Sequence, residues 1–272
     1  MIDFIVQMFS YGFIRRAILV GVLVALSAAL LGVCLVLKRY SMIGDGLSHV
    51  GFGAMAIALA LNFTPLYFSI PVVIIAAFFL LKISENSSVK GDAAIAIISS
   101  SAIAIGMIAI SLSGGTDIDI NDFMFGSILL VTDTDLYISI GVSAAVIVMF
   151  ILLYNKIMAT TFDEDFVRAT GTNVKAYNML VALLTAIMVV VGMRSMGTLL
   201  ISSLIIFPAL TSMRVFKSFK KVVVCAAVVS VFCVLAGFVA AHLFALPPGS
   251  TIVVANLAVF LVFSVTGRLV KA

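Results

Sequence analysis

Residues 17–53, AILVGVLVALSAALLGVCLVLKRYSMIGDGLSHVGFG, decide the fold. An apolar run long enough to cross a bilayer ends at the basic pair Lys38 and Arg39. The following segment carries Asp45 and His49, four residues apart, which on a helix lie on one face. An ionised Asp costs about 3 kcal/mol in the middle of a membrane helix, so it normally faces a pore, a partner or a cation. The spacing therefore predicts two adjacent ligands on one side of a membrane helix.

Small residues surround this pair and leave little side-chain bulk, so another backbone or a hydrated ion can come close. They are Ser41, Gly44, Gly46, Ser48, Gly51 and Gly53. The residues alone fit a second interpretation equally well. In that interpretation Asp45 caps a helix at the membrane surface, and His49 is an interior histidine with its hydrogen bonds satisfied.

Composition identifies an integral membrane protein. Of the 272 residues, 64% are hydrophobic and 10% are charged, a balance that no soluble core of this size requires. Apolar runs of about 20 residues recur where barrel strands would show short alternating segments. We therefore expect an all-α, polytopic transmembrane helical bundle, forming one domain over residues 1–272. The net charge of +4 does not by itself indicate nucleic-acid binding.

Nine apolar segments are candidate spans, and eight crossings plus one re-entrant or broken helix are equally compatible with the sequence. The segments are residues 14–37, 41–61, 65–81, 93–112, 133–154, 176–193, 197–212, 222–244 and 251–267. Pro208 lies inside one of them and permits a kink or a break, with a role as a pathway wall or hinge.

Basic residues predict the orientation. With the turns at 38–40, 82–92, 155–175 and 213–221 and the C-terminal tail in the cytoplasm, thirteen of the sixteen basic residues lie inside. Arg15, Arg16 and Arg194 then lie outside. Arg15 and Arg16 resist an external start, so the sidedness of the N-terminus is left open.

An acidic cluster marks one outward connection. A patch of acids there can attract cations or the basic surface of a delivery protein, but we favour a solvated loop whose acids follow membrane topology. The cluster comprises Asp117, Asp119, Asp122, Asp133 and Asp135. His242, near the outer end of a span, is interpreted as an interfacial anchor.

The cytoplasmic stretch TTFDEDFVRATGTN, residues 160–173, has the signals of a short helix outside the bilayer. Thr161 and Glu164 fit a capping box, and Gly171 supplies the stop, which predicts about nine helical residues. An apolar face flanked by Arg168 is suited to a groove in another protein. That face comprises Phe162, Phe166 and Ala169.

Four separated blocks resemble the permease subunits of ATP-driven (ABC) importers of manganese, zinc and iron. The blocks are SMIGDGLSH (41–49), DINDFMFGSILL (119–130), DEDFVRATG (163–171) and GTLLISSLIIFPA (197–209). The resemblance implies that Asp45 and His49 line the translocation path and that the second block is mainly architectural.

The same resemblance implies the partners and the setting. The helix at about 162–171 inserts into an ATPase subunit, with Glu164, Phe166, Ala169 and Gly171 at the interface. A homodimer is expected to work with two ATPase subunits and an external metal-binding protein in the bacterial cytoplasmic membrane. No permanently bound cofactor is expected. The transported ion is Zn²⁺ as first choice and Mn²⁺ as second.

Other function classes stay open. A proton- or sodium-coupled secondary transporter can use an intramembrane Asp and His as a relay, but it needs no docking helix. An intramembrane metallohydrolase is disfavoured, since the chain has two histidines and no His-Glu-x-x-His. No Gly-x-x-x-x-Gly-Lys-Ser/Thr occurs, so ATP hydrolysis requires a partner and the chain is not expected to be an enzyme.

Overall fold

Apolar runs of membrane-spanning length form helices in the computed structural model, which describes residues 12–86, 91–113 and 131–269. Over these ranges nine helices are long and apolar enough to cross a membrane. They are α1 (Gly12–Leu37), α2 (Ser41–Ala60), α3 (Pro65–Asn86), α4 (Gly91–Leu112), α5 (Asp133–Leu152), α8 (Val174–Met196), α9 (Thr198–Val215), α10 (Phe219–Leu243) and α11 (Pro248–Leu269). Two short helices, α6 (Tyr154–Phe162) and α7 (Glu164–Ala169), lie between α5 and α8.

Of the kink or break that Pro208 permits, the break is absent, because α9 continues from Thr198 to Val215 through the proline. The chain turns at Gly197, the single residue between α8 and α9, which has a positive φ of 86°. Glycine adopts this backbone conformation without a Cβ clash, so the sharp reversal occurs there. The helix after it has 18 residues and is about 27 Å long, close to the thickness of the hydrocarbon core.

The helices differ in how deeply they are buried. Most residues of α1, α2, α8 and α9 are buried inside the chain, whereas α4, α5 and α11 keep most of their surface exposed. Fully buried Leu31, Leu47, Met193 and Leu204 come one each from the four inner helices. Since exposed apolar faces of a membrane protein are solvated by lipid, the outer helices need no further protein cover.

Polar contacts hold the helix ends together at both faces of the bundle. At one end, Lys38 after α1 contacts Glu164 of α7. At the other end, Arg16 of α1 contacts Asp133 of α5, with 2.5 Å between Nη1 and Oδ1. These contacts agree with the orientation predicted from the basic residues, which puts Lys38 inside and Arg16 outside.

Glycine permits two close helix contacts in the bundle. A Cβ at Gly32 of α1 would lie 2.0 Å from the carbonyl oxygen of Ile205 in α9. A Cβ at Gly53 of α2 would lie 2.4 Å from the carbonyl oxygen of Ala102 in α4. Small residues let membrane helices approach through their backbones, and van der Waals packing is the main force that joins them.

Substitution of Gly32 by alanine tests this contact. We expect Gly32→Ala to destabilise the folded protein by about 1–3 kcal/mol, because the new methyl group overlaps a backbone atom that cannot move alone. The measurement is thermal unfolding in detergent. Gly141→Ala is the matched control, since a Cβ at Gly141 meets nothing within 4 Å. Equal melting temperatures for the two variants would contradict the contact.

Candidate metal path and docking segment

Asp45 and His49 lie together on α2, as their spacing predicted. The His49 Nε2 atom is 3.6 Å from Oδ2 of Asp45. The Asp45 side chain keeps 35% of its surface exposed and the His49 side chain 27%, whereas the intervening Gly46, Leu47 and Ser48 are buried. Asp45 is the fifth residue of a helix whose N-cap is Tyr40, so the interpretation of Asp45 as a helix cap is wrong.

Most other residues of α2 are packed within the chain, and glycines make its closest contacts. Cβ atoms placed at Gly44 and Gly51 would come within 3.0 Å of Ile205 in α9 and 2.8 Å of Met193 in α8. One at Gly46 would come within 2.6 Å of Ile95 in α4. Neighbouring helices therefore use the small residues around the polar pair, while Asp45 and His49 lie on a stripe of α2 that remains accessible.

Hydroxyl groups hold α2 in register with α9. Ser48 Oγ donates to the Gly44 carbonyl at 2.9 Å, and Ser202 Oγ of α9 donates to Ser48 Oγ at 3.2 Å. Both serines are buried. Since hydroxyls buried in a bilayer need partners within the protein, these bonds satisfy Ser48 and Ser202 and hold the flank of α2 beside the polar pair against α9.

The depth of the pair follows from helix geometry. With α2 starting at Ser41 on the cytoplasmic side, a rise of 1.5 Å per residue places Asp45 about 6 Å and His49 about 12 Å along the helix. A helix of 20 residues is about 30 Å long. The two side chains therefore extend from the cytoplasmic quarter of the helix towards its middle.

The docking segment, residues 162–171, differs from its predicted form. The expected nine-residue helix is instead the six-residue α7, separated from α6 by Asp163. The Thr161–Glu164 capping box is wrong, because Thr161 Oγ1 donates to the Ile157 carbonyl within α6. Asp163 is the N-cap, and its Oδ1 accepts from the Phe166 backbone N–H at 2.9 Å.

The predicted stop at Gly171 is confirmed. Gly171 has a φ of 79°, and its N–H donates to the Arg168 carbonyl at 3.1 Å, while Thr172 N–H donates to the Val167 carbonyl at 3.3 Å. This pair of bonds is the Schellman termination, which requires the left-handed conformation that glycine adopts most easily. The short helix α7 thus has a defined end on each side.

The docking segment exposes a small aromatic face. Phe166 keeps 65% of its surface exposed and Phe162 keeps 59%, and Ala169 is exposed as well. Val167 on the opposite side of α7 is buried and anchors the segment to the bundle. The Phe162 ring also meets the edge of Phe219 at the start of α10, at a centroid distance of 5.8 Å.

Glu164 does not point away from the bundle with these aromatic rings. Its Oε1 accepts from Lys38 Nζ at 2.8 Å and from Asn178 Nδ2 at 3.1 Å. Lys38 Nζ also donates to Asn178 Oδ1 at 2.5 Å. We call these three residues the Lys38–Glu164–Asn178 network. It joins the turn before α2, the first residue of α7 and the first part of α8.

Sequence reasoning missed this network because its members are 126 and 14 residues apart. The available signal was a need for partners. Lys38 and Asn178 both lie at cytoplasmic ends of apolar runs, where a buried amide or ammonium requires an acceptor. Glu164 is the acidic residue that the fold brings to both.

Two acids of the outward connection form ion pairs with arginines of the same chain. Besides the Arg16–Asp133 contact, Arg194 Nε lies 3.0 Å from Asp135 Oδ1, and Asp135 forms a capping box with Thr132. The interpretation as a solvated loop is therefore wrong for these two acids, which belong to α5 and pair with arginines. Asp117, Asp119 and Asp122 lie outside the described residues, as does most of the second resemblance block.

Metal-binding groups elsewhere are sparse. Across residues 12–86, 91–113 and 131–269, no cluster of three or more His, Cys, Asp or Glu side chains forms. His242 is exposed at the outer end of α10, consistent with an interfacial position. A protomer thus offers the Asp45–His49 pair as an accessible carboxylate and imidazole on one membrane helix.

A family model described as the ABC 3 transport family matches residues 10–267. The chain belongs to this family. Its members are membrane-spanning transport subunits. Membership therefore implies that this permease has no ATPase site of its own. With nine apolar helices, the permease is a multi-pass protein of the bacterial cytoplasmic membrane.

Individual relatives agree with the assignment. The permease is 30% identical over 260 residues to the manganese import system permease protein ScaB of Streptococcus gordonii, covering 96% of this chain and 93% of that protein. It is 32% identical over 240 residues to the high-affinity zinc uptake system membrane protein ZnuB of Buchnera aphidicola, covering 88% and 91%. The solved structure of PsaBC from Streptococcus pneumoniae matches with a TM-score of 0.86 and 30% identity, covering 97% and 95% of the two chains.

The network also sets the charge of Glu164. Burial raises the pKa of this carboxyl, but hydrogen bonds from Lys38 and Asn178 and the positive charges of Lys38 and Arg168 outweigh it, so the pKa lies below its usual 4.5. A carboxyl with a lowered folded-state pKa stabilises the fold above its unfolded-state pKa. That contribution is lost as the pH falls through the folded-state value.

Thermal unfolding as a function of pH tests this contribution. At pH 7 we expect Glu164→Gln to melt about 2–4 °C below the wild type, the shift of a partly exposed ion pair worth about 1 kcal/mol. The gap should begin to narrow below about pH 4.5 and should close only as the pH falls through the lower folded-state pKa, where the wild-type carboxyl becomes protonated. Asp165→Asn, which removes a nearly fully exposed carboxylate from the adjacent position, should follow the wild type at every pH. A gap that is independent of pH would exclude the ionic contribution.

Proposed function

We propose that this chain is the permease subunit of an ATP-driven importer of divalent transition metal ions. It acts as a homodimer with two ATPase subunits and an external metal-binding protein. The observation that carries the proposal is the accessible Asp45–His49 stripe on a membrane helix that is otherwise packed against its own protomer. The names of the manganese and zinc permeases similar to this chain support the same cargo class.

The stripe supports a path between two protomers. A carboxylate and an imidazole facing lipid would be costly, so they require a water-filled passage, a partner or an ion. A second copy brings two further ligands to a shared axis, which gives four nitrogen and oxygen donors. Four such donors suit Zn²⁺, and with added waters they suit Mn²⁺. We propose Zn²⁺ as first choice and Mn²⁺ as second.

The docking segment supports an ATPase partner. A short, capped cytoplasmic helix with an exposed phenylalanine matches the anchor-in-pocket pattern of protein interfaces. Phe166 is the anchor, and Ala169 lies one turn further on the same face. Gly171 ends the helix and Glu164 begins it. Closure of the ATPase subunits then moves this segment and switches the bundle between outward and inward openings.

Loss of both path ligands tests the cargo. In vesicles containing the permease with its ATPase and metal-binding protein, Asp45→Ala with His49→Ala should reduce ATP-dependent uptake of ⁶⁵Zn²⁺ and ⁵⁴Mn²⁺ by about 100-fold, the combined size expected for two ligands. Val254→Ala is the control, because Val254 keeps 62% of its surface exposed on the outer helix α11. Unchanged uptake in the double variant would refute the ligand assignment. Uptake that needs an ion gradient and no ATP would indicate a secondary transporter.

Truncation of the exposed aromatic anchor tests the partner interface. Phe166→Ala should weaken binding of the ATPase subunit about 30-fold, the loss typical of an aromatic anchor worth 2 kcal/mol. Binding is measured by titrating the ATPase onto the immobilised permease in detergent. Phe244→Ala is the control, because Phe244 keeps 71% of its surface exposed after the outer end of α10. Equal affinity for both variants would place the interface elsewhere.

A further inference from the structure

The Lys38–Glu164–Asn178 network lies between the two parts of the proposed mechanism. Glu164 is the first residue of α7 and stands two residues before the exposed Phe166. Lys38 stands three residues before Ser41, where α2 begins. The Lys38–Glu164 contact, between residues 126 apart in sequence, therefore joins the docking segment to the turn before α2, the helix that carries Asp45 and His49.

The network is more firmly built than a surface ion pair. The Lys38 side chain keeps 11% of its surface exposed, and Asn178 is buried. Asn178 bonds both charged groups, accepting from the ammonium and donating to the carboxylate. Breaking a pair of which one member is shielded from water leaves an uncompensated charge, so the two charged groups stay together when either one moves.

The turn after α1 connects Lys38 to α2 through short hydrogen bonds. Tyr40 N–H donates to the Leu35 carbonyl at 2.8 Å, and Ile43 N–H donates to the Tyr40 carbonyl at 3.0 Å. Between them Arg39 has a positive φ of 62°, a conformation that the surrounding bonds must maintain. The turn has little slack, so a displacement of Lys38 moves the first turn of α2, where Asp45 follows.

We propose that Lys38, Glu164 and Asn178 are positioning residues that transmit movement of the docking segment to α2 and thereby open or close the path at Asp45 and His49. The inference rests on the proposed function, because it needs an ATPase that moves the docking segment. It also gives Glu164 a different role from the partner contact predicted from the sequence. Glu164 holds α7 to the α1–α2 turn, while Phe166 holds the ATPase.

The test compares coupling with binding in the complete complex. The permease, its ATPase and its metal-binding protein are reconstituted in vesicles, and ⁶⁵Zn²⁺ and ⁵⁴Mn²⁺ uptake is divided by ATP hydrolysed. Glu164→Gln and Lys38→Met should each lower this ratio about fivefold or more, the lower bound of typical coupling between sites. In Lys38→Met, ATPase binding and hydrolysis should stay within about twofold of the wild type, since Lys38 lies outside the docking segment and its side chain is mostly buried.

Matched variants separate transmission from general damage. Asp165→Asn removes the neighbouring carboxylate, which is nearly fully exposed, and should leave the ratio unchanged. Lys38→Arg keeps the charge and should retain most of the coupling. The double variant Lys38→Met with Glu164→Gln should have an uptake ratio no lower than that of the more impaired single variant, because both substitutions remove the same contact. An unchanged ratio in Glu164→Gln, or a loss that follows ATPase dissociation, overturns the inference.

Hydrogen exchange measured by mass spectrometry tests the link without transport. Adding ATP and vanadate to the wild-type complex should change exchange in peptides covering residues 38–49 as well as 162–171. In Glu164→Gln the change at 162–171 should remain and that at 38–49 should disappear. A change at 38–49 that persists in the variant, or is absent from the wild type, overturns the link.

Absence of Zn²⁺ and Mn²⁺ uptake by the wild type in the transport assay refutes the proposed cargo alone.

Discussion

An ionisable pair inside a hydrocarbon layer is the constraint on which this structure depends. A carboxylate there must be kept away from lipid, yet a cation can reach it only if part of it stays accessible. The chain meets both requirements by burying most of α2 against α3, α4, α8 and α9 while Asp45 and His49 stay partly exposed. α3 and α4 make the most extensive contacts with α2, and α8 and α9 complete its packing.

The two ends of the bundle are held by different chemistry from its middle. Ion pairs connect helices at the outer end through Arg16 and Arg194, and at the cytoplasmic end through Lys38. Between them, contacts depend on glycine and on hydroxyls such as Ser48 and Ser202. This division follows the solvent, since charges are tolerated where water or headgroups are near and small groups are favoured where lipid surrounds the protein.

Much of this was predictable from the sequence, because the membrane restricts the alternatives. Hydrophobic length located the nine long apolar helices of the described residues, and a spacing of four placed Asp45 and His49 on one face. The errors came from local signals that two helices share. Thr161 and Glu164 fit a helix start, but Thr161 belongs to the end of α6, so its hydroxyl bonds backward. The network around Glu164 depends on tertiary packing, which no local pattern encodes.

The glycine contacts of α2 also affect how the helix can move. A Cβ at Gly44 would meet the Ile205 side chain, and one at Gly51 would meet the side chains of Met193 and Val73. Ile43, Leu47 and Met55 of the same helix are fully buried, so α2 is also interlocked with its neighbours through large side chains. Displacement of α2 therefore requires the helices packed against it to move with it, because packed cores switch between discrete arrangements rather than deform continuously.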